Sequence, residues 1–495
     1  MNKKLFVSII AMVALVAVLA TLLVGCNSFA WTSVGGGEPN ADVESNGGYY
    51  VKQGKYVYFI NGYDTAEVVD NTWGTPVKNS IVRAELVNGE YTNFVVVVPK
   101  QVYNKNANGG FAIFGEWIYY ATPNNDLDKH GHASTTHTDF MRTKIDGSAT
   151  QLIATINSRD SEYLFTATRI LYKSSSTINY IDFSGMKNNG SSASQAGVTG
   201  GVLIENVESV MWDMNSEYIY FTETVTGDTS YEFCNTLNAI KVDGTDKKVL
   251  ADKLTYLAEA EKENYTDFFS TKVFSFTLVD MVLENGGATL FYTKSNYINS
   301  QAEGRGLFVN KIAFGGDFNT ATEKQISKNT TISTVYGLGY EKGALVTVSS
   351  NIYLADSAEG ITTDKTPVIG KAVTIQTIVN GVVYYTDSTG GKLYAISLDG
   401  TDNEKVVCEA KFNTSWLNLE IINADENNLT FAYFNSDDYN YVYVVNVLSD
   451  DEAKMIGIMN DADKEAKEKA CAPTRPSQGP IHPNSGGNGI QRALR

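Results

Sequence analysis

Alternation of apolar and polar positions is the dominant signal along this chain, and it recurs with one grammar. In 381–409, Val383 to Thr386 alternates and meets a short turn at Ser388 to Gly391; Leu393 to Leu398 then runs into Asp399-Gly400-Thr401, and Val406 to Glu409 follows. Asp-Gly between two alternating runs predicts a hairpin, because glycine supplies the positive φ of primed turns without steric cost. The alternating motif recurs as Val57-Tyr58-Phe59, Ile118-Tyr119-Tyr120, Ile170-Leu171-Tyr172 and Ile219-Tyr220-Phe221, then as Leu290-Phe291-Tyr292, Leu345-Val346-Thr347, Val383-Tyr384-Tyr385 and Leu429-Thr430-Phe431. Many copies follow another short apolar run, such as Phe111 to Phe114 or Val373 to Ile378, and several precede a strand ending in Asp-Gly, at Asp146-Gly147, Asp243-Gly244 and Asp399-Gly400.

Four strands per unit, repeated, is the grammar of a β-propeller, in which neighbouring units bury faces that none could bury alone. The expected fold is all-β: about eight, alternatively seven, four-stranded blades over 49–460, because the copy at Leu345 to Gly370 is weak. The repeats are somewhat longer than the roughly 40 to 45 residues usual for four-stranded blades, so the excess falls in loops. Composition agrees, with 29 Tyr, 22 Phe and 42 Gly.

Tyr384-Tyr385-Thr386-Asp387, Tyr220-Phe221-Thr222-Glu223 and Phe291-Tyr292-Thr293-Lys294 resemble the YWTD repeats of low-density-lipoprotein-receptor propellers, which bacterial lipoproteins also carry. The resemblance covers roughly 49–460 and implies a propeller with a binding role. Here Tyr or Phe replaces the Trp, the flanking Cys-rich modules are missing, and the receptor propellers have six blades.

The amino end reads differently. Lys3 and Lys4 precede a mostly apolar run from Leu5 to Val24, closed by Leu23-Val24-Gly25-Cys26, in the order of a secretory signal. Its last four residues resemble the bacterial lipobox, which implies a signal peptide over 1–26 and a diacylglycerol-bearing Cys26 at the mature terminus. An uncleaved membrane helix is the alternative, since twenty residues span a core of ~30 Å. Either arrangement places the domain outside the cytoplasm. Residues 27–48 are polar and Gly-rich and predict a flexible tether. At the other end, 461–470 has helical composition, and 471–495, rich in Pro, Gly and Ser with no acid, predicts a disordered tail.

The formal charge is −17, and the body between leader and tail carries 34 bases against 56 acids. Such a surface disfavours nucleic acid and anionic lipid headgroups, whose phosphates require Lys and Arg. Four scattered cysteines exclude a disulfide framework; Cys234 and Cys408 read as buried thiols.

In a four-stranded blade the connection between strands two and three shares a face with the link to the next blade. The swollen connections are expected at Asn61 to Ser80, Thr122 to Asp139, Thr222 to Thr236 and Lys294 to Gly306, with a long link at Thr255 to Phe269. Long loops on a rigid scaffold carry binding. Trp73, Tyr63, Tyr231, Tyr256, Tyr265 and Tyr297 fall in these stretches and are the candidate recognition residues for a protein, peptide or glycan.

One constellation carries possible metal chemistry: Asp126, Asp128, His130, His132 and His137. Imidazole and carboxylate suit a divalent transition ion such as zinc, whereas the histidines at ligand positions argue against calcium. A solvated polar loop is the alternative, and no cofactor is otherwise implied. Hydrolase elbows, His-Glu-x-x-His, phosphate-binding loops and Cys-x-x-Cys are missing from the sequence. The expected function is therefore non-catalytic binding at the membrane, with a metal-assisted envelope hydrolase or lyase, or a structural scaffold, as alternatives.

Overall fold

The computed structural model describes residues 33–457 apart from 45, 62–79, 101, 103–109, 124–136, 159–161, 187–196, 227–232, 253–254, 256–271, 299–300, 330, 363–364, 388–391, 400–403, 409–417, 425–427, 435–439 and 447–453. Among the described residues the strands form eight antiparallel sheets in chain order, lying within 43–98, 111–156, 163–204, 207–251, 272–327, 335–355, 373–408 and 418–456. Six have four strands, the first has five and the sixth has three. Each copy of the alternating motif lies on the second strand of a meander, from Tyr56–Asn61 in the first sheet to Asn428–Phe434 in the eighth. The chain is an all-β propeller, and its blades are four-stranded meanders.

The motif is expected to alternate, yet six of its eight copies are apolar or aromatic at all three positions, and the packing gives the reason. Successive side chains of a strand point to opposite faces, and here both faces are covered. On the fourth sheet, Tyr218 and Tyr220 join the cluster shared with the fifth, while Ile219 and Phe221 join the one shared with the third. On the fifth, Leu290 and Tyr292 face back and Phe291 faces forward to Val335, Ala344 and Val346. A fully buried side chain of this size contributes about 1.5–3 kcal/mol, so each motif glues its sheet to two neighbours. Further clusters join the second sheet to the third and the sixth to the seventh. Ile456 of the eighth packs into the cluster that unites the first two. No sheet mixes strands from the two chain ends among the described residues.

The weak copy is the three-stranded sixth sheet. Its fourth strand shrinks to one bridge between Ile352 and Ile369, with Ile352 donating to Ile369 at 2.9 Å and Val368 donating to Ile352 at 2.8 Å. Pro367 lies just before it and has no N–H to extend the ladder.

The Asp-Gly turns form as expected in the second and fourth sheets. Gly147 and Gly244 adopt φ of 72° and 86°. Asp146 accepts the Ser148 amide at 2.9 Å, and Asp243 accepts both the amide and the hydroxyl of Thr245. Those bonds hold the Asp243 carboxyl below the usual carboxylate range.

Three expectations need revision. The stretch Lys294 to Gly306 is largely strand rather than loop: Gly287–Ile298 pairs with Gln301–Ala313 down to Ile298 opposite Gln301. Thr222 to Thr236 is likewise mostly hairpin, with Tyr218–Thr226 paired to Phe233–Lys241. Its Thr222, Thr224, Val225 and Thr226 are β-branched, so they favour strand while lowering the apolar contrast that marks one. In the third sheet the pattern of lengths inverts. Ser175-Ser176 closes the turn between strands two and three, with Ser175 at φ 55°, and the long connection falls between Thr177–Asp182 and Thr199–Ile204.

Candidate binding face

Antiparallel meanders put the turns between strands one and two and between three and four on the same side. The second sheet shows this directly, since Ile145 donates to Glu116 at 2.9 Å and Lys144 pairs with the Glu116 carboxylate at 3.0 Å. This turn face is stitched. Arg83 of the first sheet donates to the Ile145 carbonyl of the second at 3.1 Å, and Arg169 of the third donates to the Asp243 carbonyl of the fourth. Lys248 of the fourth donates to the Gly315 carbonyl of the fifth, and Lys324 of the fifth pairs with Glu341 of the sixth at 3.0 Å.

The same face is covered by the chain's own beginning. From Ser33 onward the expected tether is part of the fold. Val34 donates to the Asp146 carbonyl at 2.8 Å, Ser33 donates to the Asp146 carboxylate at 3.1 Å, and Glu38 accepts the Lys55 amide at 3.2 Å. Gly36 packs so tightly that an added Cβ would lie 2.8 Å from the Arg83 guanidinium. Strand Val43–Glu44 then adds to Tyr50–Gln53, the inner edge of the first sheet, on the side of the propeller axis. Asn46 mimics a further strand: its amide donates to the Ile113 carbonyl at 2.9 Å and accepts the Ile113 N–H at 2.7 Å. Gly47 abuts Met214 in the first turn of the fourth sheet.

The opposite face carries the connections between strands two and three and the links between sheets. Its longest joins run from Asn61 to Ser80, Pro123 to Thr138 and Ala251 to Lys272. Two polar groupings mark its described rim. Between the fourth and fifth sheets the exposed Glu208 accepts from Thr224 and from Asn235 at 2.6 Å. Asn235 is buried and clamps both backbone groups of Phe276 at 2.7 Å, so the Glu208 carboxylate is held in place. Beside the connection that follows Pro123, Asp139 accepts the Thr155 hydroxyl at 2.6 Å. Burial pushes the nearby Lys100 ammonium below its ordinary value, and the Asp139 charge opposes that shift. A held carboxylate and a partly desolvated ammonium can bind complementary polar or charged groups of a ligand.

Cys26, Tyr63, Trp73, Asp126, Asp128, His130, His132, Tyr231, Tyr256 and Tyr265 lie outside the described residues. Tyr297 falls within strand Gly287–Ile298, opposite Ala302, and not in a loop. His137 directly precedes strand Thr138–Lys144. Among the described residues no three His, Cys, Asp or Glu side chains are grouped to hold a metal ion, and no helix is long and apolar enough to cross a membrane. Sequence reasoning missed Glu208, Asn235, Lys100 and Asp139. Asn235 acts across 41 residues, and no local pattern announces such a contact.

No protein-family model and no curated protein sequence matches the chain. Solved propeller structures do resemble it. Apo AztD from Citrobacter koseri shares 11% identity with a TM-score of 0.38, covering 81% of this chain and 95% of that one. The β-propeller domain of the Trilobed protease from Pyrococcus furiosus shares 12% identity at a TM-score of 0.34, with 85% and 96% covered. Acylaminoacyl peptidase from Pyrococcus horikoshii shares 12% at 0.33, with 86% of this chain and 53% of that one covered. Their names point to different roles, and at these values neither ligand nor reaction transfers.

Proposed function

We propose that this chain is a non-catalytic binding propeller held outside the cytoplasm by a lipid on Cys26, taking a protein, peptide or glycan on the face of the long connections. The observation that carries the reading is the inequality of the two faces. One is covered by residues 33–48 and stitched at four of its seams, whereas the other bears the two longest joins, between Asn61 and Ser80 and between Ala251 and Lys272, and the Glu208 carboxylate held by Asn235. Binding residues concentrate on long connections over a rigid scaffold. Tyr63, Trp73, Tyr256 and Tyr265 lie in those joins, Tyr231 lies between the paired strands Tyr218–Thr226 and Phe233–Lys241 on the same side, and such aromatics supply contact area at low entropic cost. All eight sheets, the three-stranded sixth included, serve as blades of one ring.

Affinity capture from the native envelope tests the reading. The full chain is compared with variants in which 62–79 or 124–136 is replaced by a short Gly-Ser link, and with Lys342→Ala on the turn face. A partner retained by the parent and by Lys342→Ala, but lost by either loop variant, is the expected result. Equal capture by all variants would move recognition away from this face.

Two measurements address the address and the metal. Fatty-acid labelling in cells should mark the parent and not Cys26→Ala. Dialysis against a chelator should leave the melting temperature unchanged, because the reading includes no resident ion; a clear fall would assign one to 126–137.

A further inference from the structure

The point at which the chain leaves the propeller is fixed, and it lies on the turn face. Ser33 and Val34 are bonded to Asp146, in the turn between strands three and four of the second sheet. Glu38 is bonded to the Lys55 amide, in the first turn of the first sheet. Beyond them Val43–Glu44 and Asn46 lock the same segment to the inner edges of both sheets. A pull on Ser33 is therefore borne by two sheets and cannot swing the exit point to the other face.

Seven residue steps separate Ser33 from Cys26. Fully extended, they span at most ~25 Å. From this we infer that the turn face is the membrane-facing surface of the anchored protein, held within ~25 Å of the lipid headgroups, with the long connections directed away from the bilayer. The inference rests on the lipid at Cys26 proposed above. A six-residue strand such as Tyr56–Asn61 is ~20 Å long, so the far face stands that much higher. The tether alone sets the orientation. The turn face presents Glu38, Glu116, Asp146 and Asp243 beside its lysines, a mixture with no strong pull toward anionic lipid. The binding face is thereby the part of the molecule most accessible to partners outside the membrane.

The native lysines report the arrangement. Lys55 and Lys144 lie on the turn face beside the exit point, with their side chains 51% and 31% exposed. Lys173 precedes the short turn at the far end of the third sheet, and the exposed Lys328 follows the last strand of the fifth. The full-length acylated protein is placed in vesicles of phosphatidylcholine and phosphatidylethanolamine, treated with a short amine-to-amine cross-linker, and digested for mass spectrometry. Lipid adducts on Lys55 and Lys144 should exceed those on Lys173 and Lys328 by at least about twofold, because the exit point at Ser33 lies on the turn face and a tether of at most ~25 Å keeps that face nearest the headgroups. An acylated amino-terminal peptide with equal adducts on all four, or with more on Lys173 and Lys328, overturns the orientation while leaving the anchor intact. An unacylated amino-terminal peptide overturns the anchor and the orientation with it.

Discussion

Lys294 shows what a single buried charge demands of its surroundings. Its ammonium lies 4.1 Å from the centre of the Phe308 ring and 2.6 Å from Glu323, whose other oxygen accepts the Tyr292 hydroxyl at 2.6 Å. The paired side chains are only 6% and 10% exposed, and burial pulls the Lys294 pKa down against the attraction of Glu323. Removing one partner leaves the other charged and unpaired, so Glu323→Gln should lower stability by about 3–5 kcal/mol, read from the urea midpoint. Lys324 and Glu341 form the exposed counterpart at 3.0 Å, and Glu341→Gln should change the midpoint by less than ~1 kcal/mol. Asp213 behaves oppositely. It is buried in a turn, accepts the Asn215 amide at 2.7 Å, and is pushed up to about 6 by burial, with that amide opposing the shift. The folded chain keeps this proton where the unfolded chain, at about 3.9, has lost it, so the group's contribution falls as pH rises from about 4 to 6. Asp213→Asn retains an acceptor for Asn215 and removes the charge. A stability gain on the order of 2 kcal/mol at pH 7.5, vanishing near pH 4, is expected from melts at the two pH values.

At the scale of the element, the sheets were legible because both faces of each second strand are buried, which leaves runs such as Tyr218 to Phe221 apolar without a break. Polar strands were not. Thr222 to Thr226 and Lys294 to Ile298 continue their sheets with residues that read as loop. Residues 33–48 hid their role for a different reason: they are held by backbone and polar side-chain hydrogen bonds, glycine contacts and two isolated valines, Val34 and Val43, which are too few to leave an apolar period. The Glu208 grouping was equally silent, since its strength comes from Asn235 reaching Phe276 in the next sheet. Asn46 offers a clean test of the covering segment. Asn46→Ala removes two hydrogen bonds to Ile113 and leaves a strand edge to find water, so a loss of about 1–3 kcal/mol is expected. Amide exchange at Ile113 should quicken with it, and unchanged exchange would show that the edge is protected by something else.

The whole molecule is a chain of nearly identical joints with one exception. Among the described residues, seven joints connect sheets adjacent in sequence, and an eighth brings Asn440–Asn446 beside Tyr56–Asn61. That last joint has side-chain packing but no shared strand among the described residues, unlike rings whose ends exchange one. A ribosome delivers this chain from its amino end, and among the described residues each sheet draws its strands from one continuous segment, so it can form once that segment has emerged. Residues 33–48 meet their partners in the first two sheets early, which makes those two the foundation on which the rest is laid. The first sheet keeps one flank open until the eighth arrives. Closure is then the step expected last in folding, because it alone brings together segments from opposite ends of the sequence.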